Sequence, residues 1–533
     1  MAKRSFMKGA VILGAAGIVV KILGAFFRIP LANIIGDTGM GYYQTAYPIY
    51  VLLLALSTAG IPTAIARMVS ERTAAGNHRE AYRVFKLSFV LLLGIGITTC
   101  LILLLGAPLF VKFSTYKAIY AIRAISPALL VIPIMAAFRG YTQGLQDMTP
   151  TAVSQIVEQF FRVLTGLAMA VILVPKGLEF AAAGASFGAT AGGICGLIAI
   201  LIIFFRQRKD IKRKTLDTPP DAPFEKSGTI IKNIILIAIP ITIGAAIMPV
   251  MSNIDLAIVS NRLVETGFSR AEANSLYGQL SGFATPLINF PQVLTQSIAL
   301  SLVPAIAAAH QTGDSVELRR NTELGMRTAM IVGLPCAAGL FVLAKPIMLL
   351  LYPTQKESAV SAAGCLAVLA VGVIFLSSVQ TLTGILQGVG KQMVPVVNLC
   401  IGAVFKIVVT YVLTGIPAIN VKGAAAGTVC AYLVASALNL RAAAKYTGSR
   451  FSVSLTFLRP GAASLLMGTA VWLVYTGLHN FMGNALSTMM SVIVGIAVYA
   501  FLVFALHCIT EEELLMLPKG ARLARLARKL KLY

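Results

Sequence analysis

The sequence predicts an all-α integral membrane protein of about fourteen transmembrane helices, built as two parallel-related six-helix lobes followed by two further helices. Three observations carry that prediction. Of 533 residues, 57% are hydrophobic and only 12% are charged, about half the charged share of an ordinary soluble domain. Apolar runs of about 20 residues, long enough to cross roughly 30 Å of hydrocarbon as a helix, recur along the whole chain. Short motifs from the first half return in the second at a near-constant offset.

The apolar runs lack the period-2 alternation of a barrel strand, and backbone polar groups in lipid must be satisfied within their own segment. Helices follow. Their centres fall near residues 19, 56, 97, 130, 163, 193, 242, 290, 333, 372, 404, 432, 465 and 496. The opening MAKRSFMKG is a positive flank, but no small-residue cleavage site follows it, so an uncleaved first span is expected.

A net charge of +24 could signal a nucleic-acid partner. Its distribution says otherwise. With the N-terminus inside and fourteen crossings, the inside segments hold 31 of the 44 Lys and Arg. That bias is the positive-inside rule, which places both termini in the cytoplasm and accounts for the basic chain with no nucleic acid. The expected location is a cell membrane, and the expected state is a monomer. Seven cysteines are scattered singly, with no CxxC or Cys/His cluster, so neither a disulfide framework nor a metal site is expected.

The repeat sets the organisation. RGYTQGLQDMTP at 139–150 is echoed by TGILQGVGKQMVP at 383–395, AAAGASFGA at 181–189 by AAAGTVCAY at 424–432, and GIPTAIA at 60–66 by LVPAIAA at 302–308. Each half carries six spans, an even number, so both enter the membrane in the same sense, an arrangement used by transporters that rock two lobes about a central site. The expected division is an N-lobe at 1–205, a basic cytoplasmic linker at 206–228, a C-lobe at 229–442, two extra spans at 443–508 and a basic tail at 509–533. Leu523, Leu526 and Leu530 form one stripe of that tail, which fits either a helix lying on anionic phospholipid or a solvated positive end. Small residues recur every four at Gly184, Gly188, Gly192 and Gly196, and again at Gly423, Gly427, Ala431 and Ala435. This pattern is read as close helix packing.

Six charges fall within spans: Lys21, Arg28, Glu158, Arg162, Asp255 and Lys406. An ionisable group at mid-membrane costs about 2.5–3.5 kcal/mol and by default marks a pathway or site. Lys21 lies about 20 Å past the inner flank at 1.5 Å per residue, too deep for easy snorkelling. Glu158 and Arg162 are four apart with the acid first, which favours a self-neutralising pair. Arg162 and Lys406 are offset by 244 and so match between the halves. Asp255, two residues after Asn253, is the expected counter-charge for Lys21 or Lys406. Gln44, Gln279 and Gln292 fall in or at the starts of the second and eighth spans and join the expected cavity lining, although amides also glue helices together. The six charges sum to +2, which favours an anionic cargo.

The N-terminal region through KILGAFFRIPLANIIGDTGMGYYQTAYP, with GIPTAIARMVSE and RGYTQGLQDMTP, resembles the multidrug/oligosaccharidyl-lipid/polysaccharide (MOP) exporter superfamily. Within it, the chain looks like the stage V sporulation protein B branch, related to lipid II flippases. The resemblance implies movement of a polyprenyl-pyrophosphate saccharide from the inner to the outer leaflet by alternating access, with its lipid tail in a groove of the last two spans. It also implies a cavity lined by cations of the first, second and eighth helices. KILGAFFR resembles the basic motif of the first helix, with Lys21 in place of an arginine and Arg28 about one position beyond the next basic residue. On the eighth helix the match fails, because the arginine's place is taken by Pro286 in PLINFPQ. No cofactor is implied; membrane potential, Na⁺ or H⁺ could drive the cycle. Two other readings stand beside this one. A cation-coupled multidrug exporter would need free acids in the N-lobe, where only Glu158 is available. A membrane glycosyltransferase or polymerase would need catalytic carboxylates on outer loops that are short and lack them.

Overall fold

The computed structural model describes residues 2–113, 115–216, 218–219 and 224–509. The expected basic tail therefore lies outside the described residues, apart from Ile509. The described residues are nearly all helical and fall into two compact units, Met1–Gly278 and Gln279–Tyr533.

The first unit holds α1 (Ala2–Thr58), α2 (Ile61–Ala74), α3 (His78–Phe110), α4 (Ile119–Ile125), α5 (Ala128–Gly144), α6 (Thr149–Leu173), α7 (Leu178–Leu216), α8 (Ser227–Glu265) and α9 (Arg270–Gly278). The second holds α10 (Thr285–Gln311), α11 (Ser315–Val342), α12 (Ala344–Leu351), α13 (Lys356–Gly388), α14 (Met393–Thr414), α15 (Lys422–Thr447) and α16 (Arg459–Ala505). By packing, α8 belongs with α1, α2 and α3. The compact boundary thus falls beyond α9, whereas the repeat register sets it at the linker.

Twelve helical stretches among the described residues are long and apolar enough to cross a membrane, where the sequence predicts about fourteen. Two of the twelve double back. Gly36 sits inside α1 at φ 65°, a left-handed conformation that glycine adopts without steric cost. Phe27 and Tyr43, on either side of it, bring their rings to 6.1 Å, although sixteen residues of straight helix would separate them by about 24 Å. The reversal is fastened by α9, where Ser275 Oγ donates to Asp37 Oδ2 at 2.6 Å and Asn274 Nδ2 to the Thr38 carbonyl at 3.0 Å. Gly483 does the same in α16 at φ 70°. A Cβ on Gly495 would lie 2.7 Å from Val471 Cγ2, twenty-four residues earlier and about 36 Å away along a straight helix.

The repeated motifs turn out to be close-packing sites. A Cβ on Gly140 would lie 2.9 Å from the Pro62 carbonyl of α2, and one on Gly144 would lie 2.6 Å from Val69 Cβ. In the second unit, a Cβ on Gly384 would lie 2.6 Å from the Ala299 carbonyl of α10, and one on Gly388 would lie 2.7 Å from Ile306 Cβ. The small-residue stripe of α7 lies on α6: a Cβ on Gly188 would come 2.6 Å from the Arg162 carbonyl, and Gly192 abuts the Glu158 carbonyl. Without a hydrophobic drive between helices in lipid, such backbone approach is what holds them together. Gly188→Ala is expected to lower stability by about 1–3 kcal/mol through overpacking, read as a lower thermal midpoint of the purified protein.

The connection between α7 and α8 is tied to the start of α3. Buried Glu80 accepts the Glu225 N–H at 3.2 Å and pairs with Arg83. Arg83 in turn donates to Ser227 Oγ at 2.7 Å and lies 3.8 Å over the Phe224 ring. In the second unit, Met326, Met330, Leu382, Ile385 and Leu386 of α11 and α13 build the core.

Candidate functional site

The reversal at Gly36 assembles a cationic and aromatic cluster in the first unit. After it, Tyr43, Tyr47 and Tyr50 are spaced by four and three residues, and so line one face of α1. Tyr43 stacks on Tyr47 at 5.6 Å, and Tyr47 meets Tyr50 at 6.0 Å. Arg28, from the first leg of α1, lies 5.6 Å from the Tyr47 ring centre. Arg162 of α6 lies 5.6 Å from the same ring and 6.0 Å from that of Tyr50. Two guanidinium groups thus share one phenol ring within cation–π range.

Arg162 does not make the ion pair expected from its spacing. Among the described residues, Glu158 pairs with Arg139 of α5, Oε2 to Nη2 at 2.9 Å, and Arg139 Nε also donates to Ser154 Oγ at 2.9 Å. The reason is geometric. Packing of α6 on α7 through Gly188 and Gly192 fixes the roll of α6, so that Glu158 meets α5 while Arg162 meets the tyrosines of α1. The Nη2 of Arg162 is closed to solvent and has no hydrogen-bond partner among the described residues; the same holds for the hydroxyl of Tyr50. Buried donors of this kind are seldom left unsatisfied and are costly when they are.

Of the expected site residues, Arg28 and Arg162 come together on Tyr47, while Glu158 turns to Arg139. Lys21 is exposed on α1, two helical turns from Arg28. Gln44 is buried between Tyr43 and Tyr47 in the chain. Asn253 ties two helices together, its Nδ2 donating to the carbonyls of Pro48 on α1 and Pro249 on α8, both at 2.8 Å. Asp255 is half-buried further along α8. Lys406 of α14 and Gln292 of α10 are half-buried in the second unit, where buried Gln279 opens the π-helical turn Gln279–Ala284.

Sequence reasoning misses Arg139 and the three tyrosines. The positive-inside count assigns Arg139 to a cytoplasmic loop, yet it lies within α5. The signal is present in GYYQTAYPIY, whose tyrosines recur at helical spacing beside a charged span.

The described residues thus form a nearly all-helical, multi-span membrane protein with two guanidinium groups gathered on one tyrosine ring. The chain belongs to the family described as polysaccharide biosynthesis protein, which matches residues 6–310; the MatE family matches residues 281–412. It is 27% identical to stage V sporulation protein B of Bacillus subtilis, covering 98% of this chain and 99% of that one. It is 28% identical to the lipid II flippase MurJ of the same organism, over 93% and 94% of the two chains. It is 29% identical to the uncharacterized membrane protein YabM of Bacillus subtilis, over 98% and 96%. Among solved structures, a multidrug resistance MATE family transporter of the MOP superfamily, inward-facing, matches at a TM-score of 0.68 and 16% identity, over 80% and 94% of the chains. Lipid II flippase MurJ in an inward closed conformation matches at 0.67 and 15%, over 92% and 98%. These structures share the fold of this chain.

Proposed function

We propose that the chain is a flippase that moves a polyprenyl-pyrophosphate saccharide, a lipid II-like precursor, from the inner to the outer leaflet of a bacterial cell membrane by alternating access. The observation that carries this reading is the Arg28–Tyr47–Arg162 cluster. A guanidinium with a buried, unsatisfied N–H is a ready donor for a phosphate oxygen, and planar guanidinium groups match phosphate geometry in pairs. Tyr50 adds a second buried donor beside it. Membrane potential, Na⁺ or H⁺ drives the cycle with no organic cofactor, both termini face the cytoplasm, and the monomer is the working unit. Engagement of Glu158 with Arg139 argues against the drug-exporter reading, which needs an acid free to exchange a cation.

The test is complementation of a flippase-depleted strain. Arg28→Ala and Arg162→Ala are each expected to abolish growth while the protein still inserts at normal levels. Normal growth of both would refute the cationic site. If Glu158→Gln instead abolished drug efflux in a sensitised strain, the exporter reading would replace this one.

A further inference from the structure

We propose that Gln155 and Gln159 of α6 contact the saccharide of the cargo and set which sugar is carried, an inference that rests on the flippase reading above. Both amides lie in a membrane-spanning helix, where a polar group without a partner is costly. Both are half-buried, and neither makes a hydrogen bond among the described residues. Other mid-span amides do find partners. Asn253 bonds to the carbonyls of Pro48 and Pro249, Gln380 Oε1 accepts the Thr295 hydroxyl at 2.6 Å, and Asn398 Nδ2 donates to Asn439 Oδ1 at 2.8 Å. Those amides join helices; Gln155 and Gln159 do not.

Their direction excludes lipid. With 3.6 residues per turn, Gln155 and Gln159 fall within about 60° of Arg162 around α6. Val153, Phe160, Leu164 and Val171 are exposed and fall on the opposite side. The amides therefore share the inward face on which Arg162 meets the tyrosines. Gln159 stands about 4.5 Å and Gln155 about 10.5 Å along the axis from Arg162, at 1.5 Å per residue.

The first leg of α1 supplies the other wall. A Cβ on Gly24 would lie 3.4 Å from Gln159 Nε2, and one on Gly166 would lie 2.9 Å from Phe27 Cε2. The two contacts advance together along both helices, so the helices run in the same sense, and Arg28 stands one turn beyond Gly24. Gln159 thus occupies the seam just before the two guanidinium groups. Gly17 lies two turns earlier on the same face of α1 as Gly24, and a Cβ there would meet nothing within 4 Å among the described residues. The seam opens in that direction, beside Gln155.

The internal repeat separates these amides from packing. At the 244-residue offset that relates Arg162 to Lys406, the second half carries Leu399 and Ala403 in their place. The glycines common to both halves bring helices together, whereas the amides belong only to the half that gathers Arg28 and Arg162. Their chemistry fits a sugar. A carboxamide offers two N–H donors and a carbonyl acceptor, and the hydroxyl groups of a sugar ring both donate and accept. When Arg162 holds a phosphate, a saccharide bonded to it lies within a turn or two of helix, where the amides stand. A cargo without a matching hydroxyl would leave them unpaired, which is how a polar site discriminates.

The experiment is native mass spectrometry of the detergent-purified chain with lipid II or with undecaprenyl pyrophosphate, which carries no sugar. The unsubstituted chain is expected to bind both and to prefer lipid II. Gln155→Leu with Gln159→Leu is expected to weaken lipid II binding by roughly tenfold, the worth of one or two neutral hydrogen bonds, with the loss confined to the sugar-bearing ligand. Should the pair lower the thermal midpoint of the chain, the two single variants are scored by the same criterion. Equal loss of both ligands, or an undiminished preference for lipid II, would overturn the proposal and leave the flippase reading standing. Failure of the unsubstituted chain to bind either ligand would overturn both.

Discussion

Replacing Arg162 by alanine is expected to abolish transport while leaving the chain folded and inserted. The side chain lies between two tyrosine rings and offers a buried donor with no hydrogen-bond partner among the described residues. Two charge-assisted hydrogen bonds to a phosphate, at about 1.5 kcal/mol each, correspond to a loss of roughly 100-fold in flipping rate. Removing a buried charge that lacks its own acid costs the fold little, so the thermal midpoint should hold. Arg162→Lys keeps the charge but loses the planar fork, and should rescue partially. Flipping of a fluorescent lipid-linked saccharide in proteoliposomes separates the outcomes, and undiminished flipping by Arg162→Ala would remove this residue from the site.

Glu158→Ala is expected to act on stability first. Glu158 and Arg139 are only 17% and 14% exposed, and breaking a buried pair by deleting one partner costs about 3–5 kcal/mol because the other charge is left uncompensated. The deletion leaves the Arg139 guanidinium without its acid. The double variant Arg139→Met with Glu158→Met should recover most of that stability, since both charges go together. A double-mutant cycle on thermal midpoints measures the coupling. Additive single effects would mean that the observed 2.9 Å contact carries no energy.

Much of the architecture is legible in the chain. Hydropathy locates the helices, and the Gln-Gly echo at 143–144 and 387–388 points to a repeat whose glycines pack against neighbouring helices in each unit. The four-residue spacing of Gly184, Gly188 and Gly192 signals packing, and packing is what these glycines do, because backbone approach needs small residues wherever it occurs. The site is only partly legible. Arg28, Glu158 and Arg162 stand out because charge in an apolar run is conspicuous. Tyr47 and Arg139 do not, because a tyrosine in a span and an arginine at its end are both ordinary.

What the sequence determined by itself is the class of molecule, because apolar length fixes the helices. What tertiary structure decided is which charges act together. Local spacing offered Glu158 and Arg162 as partners, but the roll of α6 on α7 turned them to different neighbours, and the reversal at Gly36 carried Arg28 to a ring nineteen residues further along. Periodicity specifies a helix's faces, and only packing specifies what each face meets.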